Sequence, residues 1–402
     1  MTIEIPPIIS VDDHVVEPRD LWQRWLPARH RSAGPKVVRA HYEPGPWPVR
    51  ISDRIDAELP MTDFWIYEDV QLPVMVGMAS AGLRPDQIVH GPISYDEMRP
   101  GCWSLPLRLA DMDVNGVERA LCFPTFPRFC GQTFLEARDR QLALACVEAY
   151  NNWMVDEWCG DSGGRLIPLC LIPLWDAGLA AREVRRNASR GVRAVAFSEL
   201  PSALGLASVH DGAGWWDPFF SACAETGTVI CIHVGSSSQT LTTSPDAPMA
   251  VRLALLSVNS QLAMTDWLVA GILARFPGLK LAFSESQIGW MPYVFERVDT
   301  IWRKGNAQSG FHPALVDPPS SYVAGRVYGC FFEDDFGLRS YDSIGIDQIT
   351  FESDYPHQDS TWPNTRGYAA RAMAHLTPEQ IYKMVRGNAI TMLDLPMHLP
   401  GA

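Results

Sequence analysis

The sequence predicts an α/β protein that folds as one (β/α)8 barrel, the TIM-barrel fold, with a long insertion after the first strand. Short apolar runs rich in β-branched residues recur eight times along the 402 residues. Amphipathic helical patterns lie between several of these runs, and glycines such as Gly191 and Gly227 separate a helix from the next run. Strands that alternate with helices are typical of a parallel sheet, and eight of them predict a closed barrel.

The eight predicted strands are bounded by polar residues or glycines. They span residues 7–11, 117–123, 165–173, 192–198, 229–233, 279–284, 326–332 and 348–352. The connecting helices are predicted at residues 136–158, 177–189, 216–226, 249–276 and 290–302. A closing helix is predicted at 377–395, where Thr377 provides the N-cap and Pro378 the first helical position.

One segment does not follow the strand–helix alternation. Residues 21–111 are rich in proline, tryptophan and tyrosine and are too long for an ordinary loop. We therefore predict a single metal-dependent barrel domain over residues 1–402, with an insertion at about 21–111. Such insertions can form lids or subunit contacts, so we expect a homo-oligomer or a pairing with a related subunit.

Composition excludes several classes of protein. The formal charge of −13 would repel a polyanion, so nucleic-acid binding is disfavoured. No stretch of about 18 uncharged apolar residues predicts a membrane span, and the N-terminus lacks the pattern of a secretion signal. The nine cysteines are widely spaced, and several lie in apolar runs, which favours reduced core thiols. We therefore expect a soluble cytoplasmic enzyme that acts on a small molecule.

Acidic and histidine side chains stand where the predicted strands end. They are Asp12 and His14 after strand one, Glu199 after strand four, His233 at the end of strand five, Glu285 after strand six and Asp354 after strand eight. The carboxyl ends of barrel strands converge on one mouth, so these six residues are predicted to share one metal site. Period-two alternation directs Asp12 and His14 to the same face and Asp13 away from it.

Each of these residues also has a structural interpretation. His233 could be a hydrogen-bonded core histidine, and Glu199 or Glu285 could pair with an arginine or a helix N-terminus. Asp354 could cap a turn before Pro356, and His357 could be a ligand, a proton shuttle, a partner of a ligand or a solvated loop residue. Loop polarity alone would not select strand ends, however, so the joint pattern favours the metal site.

Four short motifs resemble the amidohydrolase superfamily, in particular the amidohydrolase-related branch with the aminocarboxymuconate semialdehyde decarboxylase-like enzymes. They are SVDDHVVEP at 10–18, IHVG at 232–235, SESQIGW at 284–290 and SDYPH at 353–357. The resemblance implies a barrel that binds one or two divalent metal ions. It also implies that Asp12 and His14 replace the His-x-His of strand one, and that His233 and Asp354 match the ligands of strands five and eight.

Two positions depart from the decarboxylase-like pattern. Glu285 stands where those members usually carry a histidine, and Glu199 stands where dinuclear members carry a bridging carboxylate or a carbamylated lysine. A set of four carboxylates and two imidazoles suits iron or manganese at least as well as zinc. The chain in this respect looks like the small group of amidohydrolase-related dinuclear oxygenases.

Several functions follow from these residues. The leading hypothesis is a dinuclear Fe or Mn oxygenase that hydroxylates an organic substrate, with Glu199 as the bridge and with Glu285 and His357 as catalytic residues. A metal-dependent hydrolase is the alternative, with Asp354 or Glu285 accepting a proton from water. A non-oxidative decarboxylase ranks third, because the strand-six histidine is missing. An inactive barrel that serves as a subunit partner is the hypothesis from a different class.

Overall fold

Eight parallel strands form the centre of the molecule. The computed structural model describes residues 4–45, 48–54, 58–305 and 309–399. The strands in the described part are β1 (Ile8–Val15), β2 (Lys36–His41), β3 (Met61–Tyr67), β4 (Val70–Pro73), β5 (Val117–Pro124), β6 (Leu166–Ile167), β7 (Leu169–Cys170), β8 (Ala194–Phe197), β9 (Val229–His233), β10 (Lys280–Ser284), β11 (Val327–Phe331) and β12 (Ile349–Phe351).

The parallel strands close into the predicted (β/α)8 barrel. Strand β5 pairs with β1 and β6, and a second sheet runs from β7 through β8, β9, β10 and β11 to β12. Strands β6 and β7 are two halves of one barrel strand, because Pro168 between them has no N–H to donate to a ladder. Between β12 and β1, the N–H of His14 donates to the Tyr355 carbonyl at 2.6 Å, and the N–H of Asp354 donates to the Asp12 carbonyl at 3.0 Å.

The first strand extends further than the sequence predicts. The prediction ended at residue 11, whereas β1 continues to Val15 and is buried over its whole length. Polar residues from Ser10 to His14 give the appearance of a loop, but they are inside the barrel. Asp12 and His14 therefore lie on the strand itself, where the sheet fixes their directions.

The barrel helices follow the predicted pattern with shorter segments. The α-helices are Leu21–Trp25, Leu105–Asn115, Gln132–Leu135, Arg140–Trp153, Ala177–Ala188, Asp217–Thr226, Met249–Ala254, Leu256–Val269, Ile272–Arg275, Met291–Lys304, Asp335–Arg339, Tyr341–Ile344, Thr365–Ala372, Pro378–Tyr382 and Asn388–Leu393. Two π-helical turns, Met154–Trp158 and Lys383–Gly387, extend two of them. The predicted helix at 136–158 begins only at Arg140, because the Asp139 side chain caps the N–H groups of Gln141 and Leu142.

A separate antiparallel sheet lies between the first two barrel strands in the chain. It consists of β2, β3 and β4 and belongs to the segment predicted as an insertion. Trp65 of β3 stacks on Phe126 at 4.8 Å and meets Trp22 edge-on at 5.2 Å, so aromatic packing attaches this sheet to the barrel. The helix Leu105–Asn115 crosses the predicted boundary at 111, and the division into one domain with an insertion remains a prediction.

Two further properties concern helices and cysteines. Across the described ranges, no helix has both the length and the apolar character required to cross a membrane. All nine cysteines are buried free thiols.

Candidate metal centre

Four predicted ligands meet at the mouth of the barrel. The Nε2 atom of His14 lies 3.2 Å from Nε2 of His233, 3.3 Å from Oδ1 of Asp354 and 3.5 Å from Oδ1 of Asp12. The Nε2 atom of His233 lies 3.5 Å from Oδ2 of Asp12. The side chains of all four residues are fully buried.

The ligand atoms in this cluster lack ordinary partners. Both carboxylate oxygens of Asp12 and of Asp354 are buried without a hydrogen bond. A buried carboxylate without a partner is costly and is rarely retained without a compensating ligand. An ion with bonds of about 2.1 Å holds neighbouring ligand atoms roughly 3.0 to 3.4 Å apart. The separations among Asp12, His14 and His233 therefore fit one divalent ion, and Asp354, whose Oδ1 atom lies 3.3 Å from Nε2 of His14, is the further candidate ligand.

The electrostatics of the cluster also favour a bound cation. Burial raises the pKa of Asp12 well above its usual value, and the nearby carboxyl groups of Glu352 and Asp354 raise it further. Burial lowers the pKa of His233 to about 3, so its imidazole is neutral, which is the form that binds a metal. No lysine or arginine of the described residues forms an ion pair with Asp12 or Asp354. A divalent cation would supply the missing positive charge.

Local contacts fix the direction of each ligand. The Nδ1 atom of His233 lies 2.5 Å from the carbonyl of Val234, which leaves Nε2 free to face the centre. Asp13 points away from the centre, as predicted, and Oδ1 accepts hydrogen bonds from the hydroxyls of Ser10 and Ser353 at 2.7 Å each. This carboxylate joins β1 to the segment that carries Asp354, so the two halves of the centre are tied together.

The two predicted catalytic residues, Glu285 and His357, lie beside the centre, and the role of Glu285 as a metal ligand remains a prediction. The Oε2 atom of Glu285 is 3.4 Å from Nε2 of His233, and the Glu285 side chain is 14% exposed. The ring of His357 stacks on His14 with centroids 3.5 Å apart, and Nδ1 of His357 lies 3.1 Å from Oδ1 of Asp354. The Nε2 atom of His357 is buried without a partner. Both residues therefore contact ligands and also border the cleft described below.

Glu199 is held apart from the other ligands. Its Oε1 atom accepts hydrogen bonds from the N–H of Gly235 at 3.0 Å, the hydroxyl of Ser237 at 2.6 Å and the amide of Asn259 at 3.1 Å. In the described part of the chain, it joins no group of three ligand atoms within 4.8 Å. The loop after β9 wraps around this carboxylate, which is why the strand-four position differs from the others. Its bridging role remains a prediction.

Two residues near the centre were missed by the sequence analysis. Glu352 is fully buried, and its Oε2 atom accepts hydrogen bonds from the Cys330 thiol and, at 3.1 Å, from the N–H of Glu285. The other oxygen of Glu352 has no partner. Donor atoms of Asp12, Cys330 and Glu352 all lie within 4.8 Å of one another. Period-two spacing from Asp354 could have indicated Glu352, whereas Cys330 looks like an ordinary core thiol.

A cleft of about 690 Å³ opens beside the centre. Glu285 and His357 line its inner end, together with Phe129, which stacks on the ring of His233 at 4.1 Å. The apolar walls come from Met75, Met78, Ile88, Val89, Val234, Met249, Leu253 and Leu256. No lysine or arginine lines the cleft in the described part of the chain. The cleft is thus suited to an apolar molecule that contacts Glu285 and His357 with one end.

Comparison with known families identifies the class of protein. Residues 38–395 match the family described as Amidohydrolase, so the chain belongs to this family. The match begins after β1 and therefore leaves out Asp12 and His14. No curated protein matches the sequence.

Several solved structures share the fold. An amidohydrolase from Mycobacterium avium subsp. paratuberculosis K-10 is 22% identical with a TM-score of 0.70, and the match covers 97% of this chain and all of that one. A 5-carboxyvanillate decarboxylase with bound manganese, from Novosphingobium aromaticivorans DSM 12444, is 19% identical with a TM-score of 0.59, covering 74% and 83%. A 2,6-dihydroxybenzoate decarboxylase from Rhizobium is 14% identical with a TM-score of 0.58, covering 97% and 99%.

The family and the ligand cluster together define a metal-dependent enzyme of the amidohydrolase-related family that binds a divalent metal ion. The predicted barrel is confirmed. The oxygenase hypothesis gains no support, because none of these three proteins is named as an oxygenase.

Proposed function

We infer that this enzyme removes CO2 from an aromatic acid without an oxidant, using a divalent ion held by Asp12, His14, His233 and Asp354. The observation that carries this proposal is the apolar cleft, which reaches Glu285 and His357 beside the ligand cluster and has no lysine or arginine among its described lining residues. A carboxylate on an apolar substrate would meet no lysine or arginine among the described residues of the cleft, so a metal ion would be its partner. The decarboxylases among the similar structures support the same reaction type.

The preference for manganese or iron over zinc also applies to this proposal. An oxygen-rich ligand set favours manganese or iron over zinc. Manganese is also the ion in the 5-carboxyvanillate decarboxylase structure. We therefore propose manganese or iron as the first ion to test.

The side chains have separate tasks in this reaction. A bound divalent ion would supply Lewis acidity at the substrate carboxylate and would orient it. When the bond to CO2 breaks, its electron pair stays on the ring carbon, which must then receive a proton. Glu285 is our candidate donor, because it borders the cleft and lies 3.4 Å from the ligand atom of His233. His357 stacks on His14 and orients Asp354 from 3.1 Å.

A metal-dependent hydrolase is the second candidate. The carboxylates of Glu285 and Asp354 could equally accept a proton from water at the same centre, and the family carries the name Amidohydrolase. The reaction types differ in the direction of proton transfer: decarboxylation needs an acid, and hydrolysis needs a base. Product analysis separates them more clearly than any single substitution.

The direct test supplies hydroxylated and methoxylated benzoic acids to the Mn²⁺-loaded enzyme under argon and in air. We expect CO2 release without oxygen, with one solvent deuterium on the product carbon when the reaction is run in D2O. Turnover that requires oxygen would favour the oxygenase hypothesis, and cleavage only of esters or amides would favour the hydrolase. Either result would overturn the proposal.

A pair of glutamine variants tests the proton donor. Glu285→Gln keeps the size of the side chain but cannot deliver a proton, so turnover should fall about 10² to 10⁴-fold. Glu296→Gln is the matched control, since Glu296 is exposed on the helix that follows. Full activity in Glu285→Gln would remove Glu285 from this role while leaving the reaction type open to the product analysis.

A further inference from the structure

A second group of ligand atoms lies deeper in the barrel than the centre at the mouth. Glu352 precedes Asp354 by two residues, so it lies one layer further inside. Its neighbour is Cys330, on β11. Donor atoms of Asp12, Glu352 and Cys330 lie within 4.8 Å of one another, and all three residues are buried.

Two residues of this group have buried oxygen atoms without a hydrogen-bond partner. The Oε1 atom of Glu352 has no hydrogen bond although the residue is 0% exposed. Both oxygens of Asp12 also lack hydrogen bonds, and a carboxylate can bridge two ions. Among the described groups of potential ligands, this is the one that includes a cysteine.

The charge of the region supports a second cation. Five carboxyl groups act on one another here, those of Asp12, Asp13, Glu285, Glu352 and Asp354. Arg108 is the positive side chain that faces Asp13, and it also donates to the carbonyl of His14. Arg108 and one divalent ion carry three positive charges against the six negative charges of five carboxylates and a Cys330 thiolate, so a second divalent ion reduces the excess from three negative charges to one.

We propose that the barrel interior holds a second divalent metal ion, bound by Glu352, the Cys330 thiolate and a bridging Asp12. On binding, the Cys330 thiol releases its proton to solvent and donates a sulfur lone pair to the ion, and nothing is oxidised or reduced. Thiolate ligands select zinc, iron or cobalt over manganese. The interior site therefore takes these ions in preference to Mn²⁺. This inference is independent of the reaction proposed above.

Metal titration of chelator-treated full-length protein tests the proposal. We expect Mn²⁺ to saturate at one ion per chain and Co²⁺ at two, with a thiolate-to-cobalt charge-transfer band in the near ultraviolet that grows with the second equivalent. Cys330→Ser should lose this band and bind one Co²⁺. Cys231→Ser is the matched control, because Cys231 is an equally buried barrel cysteine on β9, and this variant should keep both ions and the band.

Other results would overturn the inference. Saturation of the wild type at one Co²⁺, or two Co²⁺ without the charge-transfer band, would exclude a thiolate-bound second ion. The same holds if Cys330→Ser keeps the second ion. X-ray absorption of the Co²⁺-loaded wild type must also detect a sulfur neighbour, which decides the question even if Cys330→Ser does not fold. CO2 release by enzyme loaded with one Mn²⁺ reports on the proposed function separately.

Discussion

Two sets of buried polar side chains in this barrel differ in the hydrogen-bond partners of their carboxylates. The Glu183 network consists of Glu183, Arg186, Asn151 and Asn187, and lies between the helices Arg140–Trp153 and Ala177–Ala188. There Arg186 donates to Oε2 of Glu183 at 2.8 Å, and Asn151 and Asn187 donate to Oε1 at 2.8 and 2.9 Å. In the ligand cluster at the mouth, by contrast, both oxygens of Asp354 have no hydrogen bond.

The pKa values of the two sets move in opposite directions. Burial tends to raise the pKa of Glu183, but hydrogen bonds from Arg186 and Asn151 outweigh it and lower the pKa below its usual value. Burial also raises the pKa of Asp354, and the neighbouring carboxyl of Glu352 adds to the rise. A buried carboxylate with complete partners stabilises the fold, whereas one without partners lowers stability until a ligand binds. This difference separates a structural network from a binding site.

The largest expected effect is the loss of activity when the ligand cluster is broken. Asp354→Ala removes a candidate ligand that lies 3.1 Å from Nδ1 of His357, so we expect activity to fall about 10³-fold or more, with loss of bound metal. The measurement is turnover together with elemental analysis of the purified variant. The control is Asp347→Asn, a surface carboxylate that pairs with Lys383. Wild-type metal content in Asp354→Ala would contradict the claim that the Asp354 carboxylate belongs to a metal-binding site.

The second prediction concerns stability in the absence of metal. Glu183→Gln should lower the free energy of unfolding by about 2 to 3 kcal/mol, because Arg186 loses its charged partner. Asp354→Asn should raise it by about 1 kcal/mol, because an unpaired buried carboxylate is removed. Urea unfolding with chelator present measures both. If the two changes have the same sign, the claim that Glu183 stabilises the metal-free fold while Asp354 destabilises it is wrong.

The third prediction concerns Glu17, whose carboxylate has more hydrogen-bond partners than that of Asp354 but fewer than that of Glu183. It accepts hydrogen bonds from the N–H groups of Thr125 and Phe126 but pairs with no cation among the described residues, and burial raises its pKa to about 7. The folded state therefore holds this proton more tightly than the unfolded chain. The contribution of Glu17 to stability is present below pH 4.5 and is lost as the pH rises to about 7.

The unfolding free energy of the wild type relative to Glu17→Gln tests this sign. This difference should fall by about 2.5 kcal/mol between pH 5 and pH 8. A difference that stays constant or rises over that interval would show that Glu17 is ionised throughout.

The smallest expected effect is that of Glu199→Gln on metal binding. Its Oε1 atom accepts hydrogen bonds from Gly235, Ser237 and Asn259, whereas its Oε2 atom is buried without a partner. Because Glu199 joins no group of three ligand atoms in the described chain, we expect the metal content to remain that of the wild type. The hypothesis of a Glu199 bridge requires the loss of one ion instead. Elemental analysis of the variant beside the wild type distinguishes the two.

Most of the barrel strands and part of the metal centre could be predicted from the sequence. Strand β9 spans the predicted residues 229–233, because an apolar β-branched run between a glycine and a polar loop leaves few alternatives. Strand β1 was predicted too short, since four polar residues in a fully buried strand give no hydrophobic pattern. Strand ends were therefore easier to predict where the strand interior is apolar.

Glu199 and Glu285 look alike in sequence, as each follows an apolar run at a strand end. They differ in what other segments bring to them: four hydrogen-bond donors from three residues surround Oε1 of Glu199, while His233 and an open cleft face Glu285. Cys330 and Glu352 were missed for the same reason, because their proximity to Asp12 depends on the closure of the barrel. Partners that come from distant segments cannot be read from local pattern.

Anomalous diffraction from crystals of the Mn²⁺-loaded enzyme tests the central claim most directly, because it locates the ion. We predict a manganese peak at the barrel mouth, about 2 Å from the Nε2 atoms of His14 and His233 and from one carboxylate oxygen each of Asp12 and Asp354. An active, Mn²⁺-dependent enzyme whose crystals have no peak among these four residues would contradict the account.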